Sequence, residues 1–202
     1  IPDLLKDALS VSFDPRVGHD YIEEYEQRYE FYHKVEEKIP FDIEELNSIT
    51  KGGLPRKTLN VILAGTNVGK SLAMCHFATT NLMANKNVLY ITMEMAEEKI
   101  AERIDANMLD VSLDNLALVS KEQYAKLIAV AKQKNIGKLI IKEYPTSSAN
   151  VNHFRHLLSE LSLKKKFAPD IIYIDYLNIC SSSRLKYSPN VNTYMMIRSE
   201  EH

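Results

Sequence analysis

The stretch LNVILAGTNVGKS, residues 59–71, carries the residue types that hold a polyphosphate. Gly65 and Gly69 allow close backbone approach, Thr66, Asn67 and Val68 lie between them, and Lys70 and Ser71 follow. When such a loop leaves a strand and opens a helix, successive backbone N–H groups face the phosphates. Lys70 then neutralises the β- and γ-oxygens, and the Ser71 hydroxyl ligates Mg²⁺. A nucleoside triphosphate with Mg²⁺ is therefore the expected ligand. The loop opens on Ala64 where the usual pattern has glycine. That change adds one methyl at the end of the preceding apolar run, which need not enter the loop.

Two carboxylates complete the chemistry. The run DIIYIDYL, residues 170–177, is apolar up to Asp175, the pattern of a carboxylate that holds the Mg²⁺ shell at a strand's carboxyl end. Glu94 directly follows another apolar run, in YITMEMAEEKIAER. At the same rim of a doubly wound sheet it could polarise a water for attack on the γ-phosphate. A glutamate at a helix start is equally explained by the helix dipole, as Glu97 and Glu98 are.

These residues need strands and helices to position them. Four short apolar runs read as parallel strands buried on both faces: 59–64, 87–93, 138–144 and 170–177. Helical stretches are expected near 70–84, 95–108, 121–134 and 150–165. The alternation argues an α/β fold, a doubly wound, mainly parallel sheet with helices on both faces. Residues 1–38 have no strand pattern and read as a helical arm. Leu4, Leu5, Ala8 and Leu9 share one face of a first helix, and Ile22, Tyr25, Tyr29, Tyr32 and Val35 share one face of a second. Pro15 and Gly18 punctuate the joint between them. The ATPase domain is expected over 39–202. It reads as incomplete at its C-terminus, because the closing segment TYMMIRSEEH starts a helix with no strand after it.

Bulk properties exclude several classes. The net charge of −2 provides no global basic field, so nucleic-acid binding must come from local patches. No apolar run approaches the ~20 residues of a membrane span. Cys75 and Cys180 lack metal-type spacing and read as thiols in a reducing cytoplasm. His76, His153 and His156 have no ligand partners at metal spacing and read as structural or surface residues.

The segments LAGTNVGKS, YITMEMAEEKIAERIDANMLDVSLD and IIYIDYLNIC resemble the DnaB-like hexameric replicative DNA helicases, in particular their T-even bacteriophage type. The likeness extends to LLKDALSVSFD and ITKGGL. Ala at the position of Ala64 is common in that family, and its Glu-Met pair with an arginine nine residues beyond the Glu recurs as Glu94, Met95 and Arg103. The resemblance implies a RecA-like P-loop ATPase domain behind a linker helix. It implies that Glu94 activates the hydrolytic water, that Arg103 belongs to the nucleotide site, and that ATP binds at subunit interfaces of a homo-oligomeric, hexameric ring. It further implies single-stranded DNA as substrate, a primase and a helicase loader as partners, and a bacterial host cytoplasm for a phage-encoded member. Further strands, a glutamine sensor, a second DNA loop and an arginine finger are expected beyond His202, so the chain reads as a fragment with weak activity on its own. The loop CSSSRLKYSPN would track DNA, with Arg184 and Lys186 paired to phosphates.

The alternatives are a recombinase-like filament ATPase, which would share fold and loops, and an assembly module that binds nucleotide without turnover. A small-molecule phosphotransferase suits the length, but no lid or acceptor site is recognisable.

Overall fold

The computed structural model describes residues 18, 20–65, 67–146, 148–176 and 179–180. The chain divides into two compact units, Ile1–Glu37 and Lys38–His202.

In the first unit, helix α1 spans Tyr25–His33. Asp20 Oδ1 accepts from the Ile22 and Glu23 amides at 3.1 and 2.9 Å, forming the turn that leads in. Arg28 lies 4.1 Å over the Tyr21 ring. Of the expected stripe, Tyr25, Tyr29 and Tyr32 lie on α1 and are exposed, whereas Ile22 and Val35 fall outside the helix.

The second unit opens with a feature the sequence pattern did not reveal. Strands β1 (Lys38–Ile39) and β2 (Leu54–Pro55) pair antiparallel around a short helix, α2 (Glu44–Thr50). Asn47 clamps the helix to its lead-in, accepting from the Phe41 amide at 2.8 Å and donating to the Phe41 carbonyl at 2.6 Å. The Lys38 ammonium donates to the terminal carbonyls of Thr50 and Lys51. Gly53, at φ +118°, sits where a Cβ would lie 2.2 Å from the Ile39 carbonyl oxygen, so only glycine fits.

The α/β core follows: α3 (Lys70–Met83), β3 (Val88–Thr92), α4 (Glu97–Leu109), a single turn α5 (Leu113–Leu116), α6 (Lys121–Gln133), β4 (Leu139–Glu143), α7 (Val151–Lys165) and β5 (Ile171–Asp175). The sheet is parallel, in the order β4-β3-β5, with Thr92 opposite both Glu143 and Asp175. Alternation along β3 builds the two cores. Val88 and Tyr90 pack with Met74, Cys75, Ala78 and Leu82 of α3, and with Ile100 and Ile104 of α4. Leu89 and Ile91 face the other way, onto Leu157 and Leu161 of α7 and Phe167. Helices therefore cover both faces, as the sequence pattern predicts, and every residue of β3 is buried.

The helix ends have local causes. Ser120 and Asn150 form capping boxes for α6 and α7. Lys166 ends α7 in the left-handed conformation, after Lys164 and Lys165 in the last turn, where cations favour the dipole. Tyr124 on α6 donates to Asp105 on α4 at 2.7 Å, and burial with that bond pushes the Tyr124 pKa up to about 12.

One expected strand is not formed. Residues 59–64 carry no strand and pair with none among the described residues. Leu59, Val61 and Leu63 are 74 %, 66 % and 89 % exposed. A continuously apolar strand is stable only with layers on both faces and a ladder partner. Nothing among the described residues supplies these to 59–64, so the apolar run alone does not make the strand.

The two cores predict unequal tolerance. Leu89→Ala should cost about 2–5 kcal/mol in urea unfolding, because a fully buried side chain leaves a cavity. Leu163→Ala, at a position 83 % exposed, should stay within about 0.5 kcal/mol.

Candidate nucleotide site

Gly69 starts α3 as its N-cap at φ +101°, a conformation glycine adopts without strain. A Cβ there would meet nothing within 4 Å. Asn67 also has a positive φ, of 61°. The Val68 amide donates to the Gly65 carbonyl at 3.4 Å and closes the turn. No side chain caps α3 and its first turn holds no acidic residue. Among the described residues nothing takes up the first amides of the helix, and the positive end of the dipole is reinforced by Lys70 rather than balanced. A cation is disfavoured at that end unless an anion joins it.

Lys70 reaches Asp175. Its ammonium lies 3.3 Å from Asp175 Oδ1 and 3.7 Å over the ring of Tyr176. Asp175 is fully buried at the carboxyl end of β5. Its Oδ2 accepts from the Tyr90 hydroxyl at 3.2 Å, whereas Oδ1 has no hydrogen-bond partner among the described residues. The Lys70 contact is thus an ion pair without hydrogen-bond alignment. Burial pushes the Tyr90 pKa far up, with the Cys75 thiol and Asp175 adding to it, so the hydroxyl keeps its proton and remains a donor. Tyr90 stacks on Tyr173 with ring centroids 5.9 Å apart, and Asn81 donates to the Tyr173 hydroxyl at 2.7 Å. Burial likewise raises the Cys75 thiol, which donates weakly to the Tyr90 hydroxyl at 3.9 Å.

Glu94 stands two residues beyond β3, exposed, on a backbone held from both sides. The Met93 amide donates to the Asp175 carbonyl at 2.9 Å, and the Met93 carbonyl accepts from Thr146 Oγ1 at 2.9 Å. Buried Thr92 accepts from the Met95 amide at 3.1 Å and donates to the Met95 carbonyl at 2.8 Å. The rims of β3 and β5 are therefore tied together at the base of Glu94.

The structure thus brings Lys70, Ser71, Asp175 and the base of Glu94 to one end of the sheet. Arg103, on α4, lines a cavity of about 360 Å³ with Leu72, Ala73, Cys75, His76 and Asn107. His76 is structural in its contacts: its Nε2 lies 2.5 Å from Asp42 Oδ2 and its Nδ1 2.8 Å from the Asn107 amide. Thr66, Arg184 and Lys186 fall outside the described residues, as does the first arm helix. Tyr90, Thr92 and Tyr176 were not anticipated. The signal for Tyr90 was its place two residues before Thr92, on the face that carries the site.

Tyr90→Phe should destabilise the fold by about 1–3 kcal/mol, because it leaves the second oxygen of a buried carboxylate without a donor. A raised tyrosine pKa contributes stability that is present below the unfolded value near 10 and lost above it. The loss should therefore be constant from pH 6 to 9 in chemical denaturation.

Comparison with known proteins bears on the family. Residues 39–196 match the model of the DnaB-like helicase C-terminal domain. The chain is 51 % identical over its whole length to the DnaB-like replicative helicase of Enterobacteria phage T4, of which it spans 43 %. Over 133 residues it is 30 % identical to the DNA repair protein RadA of Rickettsia felis, covering 61 % of this chain and 30 % of RadA. A solved DnaB-like replicative helicase, described with its interactions with primase, superposes at a TM-score of 0.64. That match covers 98 % of this chain and 46 % of the other at 16 % identity, a likeness of fold. The chain spans less than half the length of these relatives. With the family model matched over most of its length, the chain belongs to the DnaB-like helicase C-terminal domain family.

Proposed function

We propose that this chain is the nucleotide-binding part of an ATP-driven replicative DNA helicase. The observation that carries the reading is the contact between Lys70, at the uncapped start of α3, and the buried Asp175. A cation and a carboxylate are held together at the N-terminus of a helix.

In this reading the loop from Gly65 to Ser71 receives the phosphates, and Lys70 supports the β- and γ-oxygens. The residues present suit Mg²⁺: Asp175 Oδ1 is a buried carboxylate oxygen with no hydrogen bond, and Ser71 lies in the first turn of α3. Mg²⁺, when bound, neutralises charge on the phosphate oxygens. Tyr90 holds Asp175 through its other oxygen, so one lone-pair set stays free for a cation. Glu94 takes the proton from a water whose oxygen bonds to the γ-phosphorus. The bond to the β-phosphate oxygen breaks, and ADP and phosphate leave.

Residues 1–38 act as the linker arm, with 39–202 as the ATPase domain. The partners proposed are single-stranded DNA, met by Arg184 and Lys186, and further copies of the chain in a hexameric ring. Arg103 belongs to the nucleotide site of the assembled ring. A primase is proposed from the solved relative described with one, and a helicase loader from the family resemblance. Such a protein works in the cytoplasm of an infected bacterium. No described helix is long and apolar enough to cross a membrane. The RadA similarity favours a second reading, a recombination-type ATPase on the same fold. Electron microscopy of the whole protein with ATP and DNA separates them, since rings support the helicase and filaments the alternative.

Two substitutions test the site in the whole protein. Lys70→Ala should weaken ATP binding at least about tenfold, which corresponds to 1.4 kcal/mol, and should lower the melting temperature without unfolding the protein, because buried Asp175 loses its cation; unaltered affinity would remove the phosphate-site reading. Glu94→Gln should keep ATP binding and slow hydrolysis by about 10²–10⁴. A rate within about threefold of the parent's would return Glu94 to the role of a helix-start carboxylate.

A further inference from the structure

Lys70 carries the positive charge least welcome at its own position. It is the first residue of α3, at the positive end of the dipole, with no acidic residue in the turn. Without a phosphate its ammonium must rest elsewhere. The carboxylate it approaches does not hold it by a hydrogen bond, since Asp175 Oδ1 has none. The second contact is an aromatic face, with Tyr176 directly following Asp175 and its ring centroid 3.7 Å from the Lys70 ammonium. The Lys70 side chain is 21 % exposed, so much of its hydration is already lost. A cation on an aromatic face in such a setting shifts an equilibrium by about two- to thirtyfold.

We propose that Tyr176 is the resting seat of Lys70, and that nucleotide must draw the ammonium off this ring to bind. The proposal rests on the phosphate-site reading above and adds a competitor to it. The ring and the phosphate oxygens contend for one ammonium. The apparent affinity for nucleotide then equals the intrinsic affinity reduced by the fraction of protein whose Lys70 is released. Lys70 also pairs with Asp175 Oδ1 at 3.3 Å, so the phosphates draw the ammonium from the ring against that second partner as well. Tyr176 is in this sense a positioning residue that acts through Lys70.

The test uses the whole protein and a fluorescent ATP analogue with Mg²⁺, read by equilibrium titration and stopped-flow association. Tyr176→Leu removes the ring and should tighten binding about three- to tenfold, mainly through faster association. Tyr176→Phe keeps the aromatic face and should restore parental behaviour. In a Lys70→Ala background, Tyr176→Leu should change nothing. If Lys70→Ala weakens binding while Tyr176→Leu leaves it unchanged or weaker, the seat is wrong and the phosphate site stands. If Lys70→Ala has no effect, the phosphate-site reading fails and takes the seat with it. Should Tyr176→Leu fail to fold, proton NMR of the unsubstituted protein decides. The Lys70 side-chain methylene next to the ammonium should be shifted upfield by the ring without nucleotide and return to its ordinary position when ATP is added. No upfield shift in the nucleotide-free protein overturns the proposal.

Discussion

A carboxylate buried at the end of an apolar strand governs the architecture of this site. Asp175 is fully buried, and an isolated charge there would cost several kcal/mol. It persists because the Tyr90 hydroxyl donates to one oxygen and the Lys70 ammonium stands near the other. Each partner imposes its own demand. Tyr90 must keep its proton, which its burial ensures, and its ring must lie flat against Tyr173. Lys70 must begin a helix that packs across β3 and β5, which makes α3 part of the same core.

The two-sided sheet follows from the same arrangement. Alternate β3 residues serve opposite cores, with Val88 and Tyr90 on the side of α3 and α4, and Leu89 and Ile91 on the side of α7. Tyr90 belongs both to the hydrophobic packing and to the polar site. The polar end of the sheet is thus built as an extension of its core, and the side chains that orient Asp175 have little room to move.

Much of this was legible in the sequence, for identifiable reasons. The runs at 87–93, 138–144 and 170–177 became Val88–Thr92, Leu139–Glu143 and Ile171–Asp175, because strands buried on both faces leave a continuous apolar signature. The run at 59–64 has the same signature and no strand. Periodicity reports what a segment could bury, and partners decide whether it does. The hairpin around α2 was missed because its strands are two residues each, too short to show alternation. Lys70 and Asp175 were singled out by the chemistry their types imply, and the structure places them 3.3 Å apart. Tyr90 and Tyr176 were not, since a tyrosine in an apolar strand reads as filling. The hydroxyl's partner lies 85 residues along the chain, a proximity that only the parallel pairing of β3 with β5 creates.

The hydrogen bond from the Met93 amide to the Asp175 carbonyl has a consequence for positional tolerance. Glu94 is an exposed side chain beyond the end of its strand, a place where backbone wander is ordinarily large. Here the residue before it is pinned to β5 and to Thr146, and the residue after it to Thr92. Misplacing a reacting group by about 1 Å can cost about 10² in rate. On the proposed mechanism, the clearance between the water-activating carboxylate and the cation-holding one is therefore set by the fit of two neighbouring strands. A thermal displacement of the rim would carry both carboxylates together, and the alignment between them would survive it.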